Sequence, residues 1–169
     1  IIEGRHSHGG ECGHIIIQME NGRRCGCGAY GHLEAYASAT ALVKRALDLL
    51  EEGSIESVLR DIPPDDLTSR AISEAAEAGD ATAQRLMKET AYYLAVGAVT
   101  LLHTIDPDIV LFGGGMIAAG DGFLEDIRQH VQKMAFPAVA KGTRVDYAEL
   151  GGDAGFIGAA GCARDAFGR

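Results

Sequence analysis

Seven of the chain's ten cysteine and histidine residues fall between His6 and His32, and this crowding restricts the first fifth of the sequence more than any other feature. His14 closes a Gly-Glu-Cys-Gly-His run, and Cys25, Cys27 and His32 follow within one loop. Two thiolates and two imidazoles are the donor types of a closed tetrahedral zinc site. Gly26 lets both sulfurs of the Cys-x-Cys reach one metal, and Gly28 and Gly31 allow the loop to fold back so that His32 meets them. A redox pair is the rival reading, but Cys-x-Cys lacks the helix-start setting of Cys-x-x-Cys oxidoreductases. The same spacing is awkward for a mutual disulfide, which favours an intracellular metal-binding set over a secreted framework. Cys12, flanked by glycine, reads as a small packed residue, and His6 and His8 as solvated loop residues.

The formal charge of −9, from 15 basic and 24 acidic residues, opposes binding to a nucleic-acid backbone. The longest stretch without a formal charge, Thr90 to Ile105, is shorter than the ~18 apolar residues a membrane span needs. Hydrophobic and charged fractions of 47% and 23% suit a folded domain and argue against disorder. Glycine is the outlier, at 23 of 169 residues, and its placement needs explanation.

His14 to Glu20 is β-branched and ends at Asn21-Gly22, which predicts a strand and hairpin turn. Apolar spacing predicts helices from Leu33 to about Leu50, from Thr68 as N-cap to Ala78, and from Asp80 as N-cap through Leu102. Strand Ile109–Phe112 follows, then a helix over roughly 122–134, a strand within 143–150 and a small-residue, closely packed helix over 154–167. Strands alternating with helices in the second half predict an α/β layered domain.

Asp106 to Gly115 delivers a hydrophobic strand into Gly113-Gly114-Gly115, whose bare amides suit a phosphate or nucleotide. A tight strand-to-helix turn would use the same glycines, and neither the Rossmann nor the Walker A pattern is matched. Glu11 and Glu34 lie beside the metal loop, where fixed carboxylates could accept hydrogen bonds from a polyhydroxylated ligand. Glu51-Glu52 and Asp65-Asp66 read as surface charge.

Taken in order, Gly10-Glu11-Cys12-Gly13-His14, Cys25 to Glu34, Asp106 to Gly115 and Gly152 to Ala160 resemble the C-terminal part of ROK-family proteins, a group of bacterial glucokinases, related sugar kinases and repressors. The resemblance implies an actin/hexokinase-like (ribonuclease H-like) α/β lobe with a mixed sheet packed by helices and a zinc loop inserted after a β-hairpin. Residues 1–169 would form a single C-terminal lobe of a two-lobe sugar kinase. Residues 1–34 would be its zinc and sugar hairpin and loop, 35–105 its helical segment, and 106–169 its nucleotide-side α/β segment. By the same resemblance Glu11, His14 and Glu34 contact sugar hydroxyls. His14, Cys25, Cys27 and His32 hold a structural Zn2+, with His32 standing where the family carries a third cysteine. Gly113, Gly114 and Gly115 line the nucleotide.

The implied activity is transfer of the ATP γ-phosphoryl group to a hexose such as glucose, with Mg2+ accompanying ATP, in a cytoplasmic homodimer that uses no membrane. The family's general base, an Asp in an Asn-Asp pair, and its phosphate-binding hairpin lie upstream of the segments matched. The chain, which starts at Ile1 and not Met, is therefore expected to be a fragment with no catalytic residue of its own and little activity alone. The alternative is the effector domain of a sugar-sensing ROK repressor, whose DNA-binding element would also lie upstream.

Overall fold

Ser38 divides the first helical stretch. In the computed structural model, which describes residue 2, residues 4–53 and residues 55–168, the expected helix from Leu33 is split into α1 (Glu34–Ala37) and α2 (Ala39–Glu51). The backbone of Ser38 is extended, and its side chain accepts from the Ala41 amide as an N-cap. Helix α3 (Ser69–Glu77) starts on Thr68 in the same way, and α4 (Ala81–Ile105) starts on Asp80.

The Asp80 carboxylate accepts from the Ala83 and Val58 amides, both at 2.8 Å, and so pins the short 3-10 turn Val58–Asp61 to the start of α4. Partial burial pushes this carboxyl up, but the amide hydrogen bonds outweigh it and hold the pKa below the ordinary value. Asp106 closes α4 in the left-handed conformation, φ 52°, with its amide bonded to the Leu102 carbonyl.

Helix α4 is the spine of the core. Leu86, Ala91, Ala95, Ala98 and Leu102 pack with Leu42 and Ala46 of α2, with Leu59, Leu67 and Ile72, and with Phe123, Leu124, Ile127 and Val131 of α5 (Gly120–Met134). Strands β1 (Ile109–Phe112) and β2 (Arg144–Tyr147) pair in parallel, Ile109 beside Arg144 and Phe112 beside Tyr147. Their crossover holds α5 and a short helix the sequence reading omitted, α6 (Pro137–Gly142), which opens on Pro137. The expected mixed sheet is thus a two-stranded parallel sheet among the described residues.

Two further expectations are corrected. No hairpin turns at Asn21-Gly22. The Gly31 carbonyl accepts from both the Ile17 and Gln18 amides, and pairing is confined to isolated antiparallel bridges, Ile16 with His32 and Arg24 with Tyr30. The Cys/His loop therefore lies between the paired arms and does not follow a separate hairpin. Helix α7 (Ala154–Phe167) forms where expected but is not closely packed: none of its described residues is buried, and Phe156 is 76% exposed. No helix among the described residues is long and apolar enough to cross a membrane.

Candidate functional site

Backbone closure comes first. Gly31 sits at φ 78°, and a Cβ there would lie 1.9 Å from the Gln18 carbonyl oxygen, so only glycine lets the two arms of the loop touch. At Gly97 of α4 a Cβ would meet Leu33 Cδ2 at 2.5 Å, so the spine helix also packs against the end of the loop.

This closure gathers His14, Cys25, Cys27 and His32, whose donor atoms lie within 4.8 Å of one another. His32 Nδ1 is 3.3 Å from Cys27 Sγ, and the two imidazoles meet edge to face at a centroid distance of 5.2 Å. His14 Nδ1 is buried and has no hydrogen-bond partner; Glu11 Oε2 stands 3.4 Å away but outside hydrogen-bond geometry. Such an orphaned group costs about 1–3 kcal/mol unless something else satisfies it.

Cys25, 4% exposed, adds to the case. The Cys27 amide lowers its pKa, but burial, the Cys27 thiol and the Glu34 carboxylate together raise it above the ordinary thiol value. A cation bound at Cys25 would offset these influences and favour its thiolate. Bonds of ~2.0–2.3 Å to a tetrahedral zinc need donors roughly 3.3–3.8 Å apart, a small contraction of this set. The residues present fit the metal.

Glu34 opens α1 and is exposed, with Oε1 3.8 Å from the Cys25 thiol that donates to it. Its carboxylate lies over Gly13 and Gly26, whose added Cβ atoms would come within 3.6 Å and 3.8 Å of it. It therefore bridges the 3-10 turn Cys12–His14 and the Cys-Gly-Cys loop, so Glu11, His14 and Glu34 flank one cluster. His6 and His8 are exposed and outside that cluster, and Cys12 is half-buried beside an apolar cavity of about 270 Å3.

The sequence reading missed the scaffold beneath the site. The Tyr36 hydroxyl accepts from the Arg23 amide at 2.7 Å, holding the loop two residues before Cys25. Arg45, 6% exposed, donates to the Tyr36 carbonyl and Thr90 Oγ1, both at 2.9 Å, and to Glu89 Oε2 at 2.6 Å. The available signal was a charged residue on the apolar face of α2, between Leu42 and Leu49 at helical spacing. The Gly113-Gly114-Gly115 turn is exposed and abuts the first residue of α2: a Cβ on Gly115 would lie 3.6 Å from that of Ala39.

The ROK family model matches residues 1–166. A glucokinase from Halalkalibacterium halodurans is 37% identical over 159 residues, covering 94% of this chain and 48% of that protein. The DNA-binding transcriptional dual regulator NagC of Escherichia coli is 30% identical over 150 residues, 89% of this chain and 36% of the regulator. The crystal structure of a ROK family glucokinase from Streptomyces griseus, in complex with glucose and AMPPNP, superposes with a TM-score of 0.74 at 33% identity, over 92% of this chain and 51% of that one. The chain spans about half the length of the glucokinases it matches.

Proposed function

Because the chain belongs to the ROK family, we propose that it forms the sugar-binding and nucleotide-facing lobe of an ATP-dependent hexose kinase of the glucokinase type. The observation that carries this reading is the convergence of Glu11, His14 and Glu34 around one His/Cys cluster. A purely structural metal site has no use for two flanking carboxylates, whereas sugar hydroxyls donate well to them. The solved Streptomyces griseus relative holds glucose and AMPPNP, which supports a hexose and ATP as the ligands.

In this reading His14, Cys25, Cys27 and His32 hold a structural zinc, which cross-links the loop and activates no water. His14 then offers its other ring nitrogen to a sugar hydroxyl, so the orientation of that imidazole couples the loop to the substrate. Glu11 and Glu34 accept from neighbouring hydroxyls and hold the sugar, and the exposed amides of Gly113, Gly114 and Gly115 face the nucleotide. Mg2+ accompanies ATP. The general base that takes the proton of the attacking hydroxyl lies outside these residues, so none of residues 1–169 is assigned a catalytic role. The functional division is residues 1–34 for sugar and metal, 35–105 for the helical support, and 106–169 for the nucleotide side. The protein acts as a cytoplasmic homodimer.

Calorimetric titration with glucose tests the assignment. Glu34→Gln should lose sugar affinity while retaining zinc, and His14→Ala should lose both. Unchanged glucose affinity in Glu34→Gln would remove that residue from the site.

A second reading, the effector domain of a sugar-sensing repressor, is favoured by the similarity to NagC over 89% of this chain. The same residues would bind an inducer sugar. Hexose-dependent ATP consumption by the full-length protein supports the kinase; operator binding without ATP consumption supports the repressor.

A further inference from the structure

Helix α1 is a single turn, too short to hold itself, and it carries Glu34 at its first position and Tyr36 at its third. The two residues move as one body, so whatever fixes Tyr36 also fixes the Glu34 carboxylate. Tyr36 is 7% exposed and is held at its ring, its carbonyl and its hydroxyl. The ring packs against Tyr93 at a centroid distance of 5.0 Å, and the carbonyl accepts from the buried Arg45 guanidinium at 2.9 Å. These two contacts anchor α1 to α4 and α2. The hydroxyl, accepting from the Arg23 amide at 2.7 Å, reaches out of the helix into the loop.

The loop is gripped at Arg23. Its amide goes to Tyr36, its carbonyl accepts from the Gly31 amide at 2.9 Å, and its guanidinium pairs with Asp48 of α2. Arg23 thus ties the arm leading to Cys25 to the residue before His32. On the other side of the cluster the Leu33 amide donates to the Ile15 carbonyl at 2.9 Å, joining the residue after His14 to the residue before Glu34. That join is backbone, which substitution leaves intact. The cysteine arm is joined to α1 by a side-chain hydroxyl, which substitution can delete while keeping the ring.

We propose that Tyr36 is a positioning residue of this site: its hydroxyl sets the Cys25–Cys27 arm against Glu34, and so fixes the geometry that metal and sugar both meet. Its effect on hexose binding rests on the sugar-site reading; its effect on the loop rests on the hydrogen bonds alone. Tyr36 acts through Arg23 and Glu34 and is assigned no contact with sugar or metal. An amide that loses its acceptor has to shift to find water, and a binding constellation tolerates displacements of only about 0.5 Å.

The test compares wild type with Tyr36→Phe, which keeps the ring on Tyr93 and deletes the acceptor. Glucose affinity is read by calorimetry, metal geometry from the visible absorption of the cobalt(II)-loaded protein, and loop closure from hydrogen exchange at the Arg23 and Gly31 amides. In Tyr36→Phe glucose should bind about tenfold more weakly and both amides should exchange about tenfold faster. The cobalt bands should shift while one metal per chain is retained. Thr68→Ala, which removes the cap of α3 and destabilises the fold comparably, should leave all of these at wild-type values. If wild type binds glucose and Tyr36→Phe binds it as tightly, or Thr68→Ala loses as much, the proposal is overturned and the sugar reading stands. If wild type binds no glucose, the sugar reading falls, and the cobalt bands and amides decide: shifted bands with faster exchange uphold the positioning role, and wild-type values overturn it.

Discussion

The His/Cys loop and helix α7 are both rich in glycine, yet their glycines have opposite physical meaning. In the loop, Gly31 has a carbonyl oxygen 1.9 Å from where a Cβ would sit. In α7, Gly155, Gly158 and Gly161 meet nothing within 4 Å, and large side chains such as Phe156 and Phe167 stand in solvent. The loop needs glycine for closure, and the closure gathers four metal-type donors. The helix carries glycine without any contact that requires it. Composition counts both alike; contacts separate them.

The largest expected effect comes from breaking the loop. Gly31→Ala combines a positive φ with a steric overlap and should cost about 3 kcal/mol or more in urea denaturation. A loss below 1 kcal/mol would show that the arms do not meet as described. Next is the scaffold: Arg45→Ala takes a buried donor from the Tyr36 carbonyl and from Thr90 and leaves Glu89 with Arg85 alone, and should cost about 2–3 kcal/mol, read from the same curves. Tyr36→Phe removes one hydrogen bond to the loop backbone and should cost about 1 kcal/mol.

Asp80→Ala should cost about 1 kcal/mol at neutral pH through loss of the cap. Because its folded pKa is lowered, the carboxylate's contribution is present above the unfolded value and is lost as pH falls through the folded one. The stability gap between wild type and Asp80→Ala should therefore shrink on acidification, and a gap that stays constant would contradict the assignment. The smallest effect belongs to α7, where Gly158→Ala should stabilise by up to about 1 kcal/mol. A loss there would mean that α7 has a close neighbour in solution.

What could be read from the sequence was local or carried by rare residue types. Thr68 and Asp80 act as caps because a cap needs only its own helix. The four donors at His14, Cys25, Cys27 and His32 stand out because seven of the chain's ten cysteines and histidines crowd into residues 6–32. Ser38 was hidden because its apolar neighbours keep helical spacing on both sides of the break. The Asn21-Gly22 turn signal was overridden by the pairing of Ile16 with His32 across the loop. The Arg45 network joins residues 44 and 45 positions apart, which no local pattern encodes. The close packing read into α7 failed because small residues permit packing but do not supply a partner.

The central claim is that one loop holds both metal and sugar. Zinc content and glucose affinity measured on the same protein, before and after chelation, test it most directly. One zinc per chain and a glucose affinity that falls sharply when the metal is removed, with recovery on zinc addition, is the predicted result. A folded, zinc-free protein that binds glucose as tightly as before would contradict it.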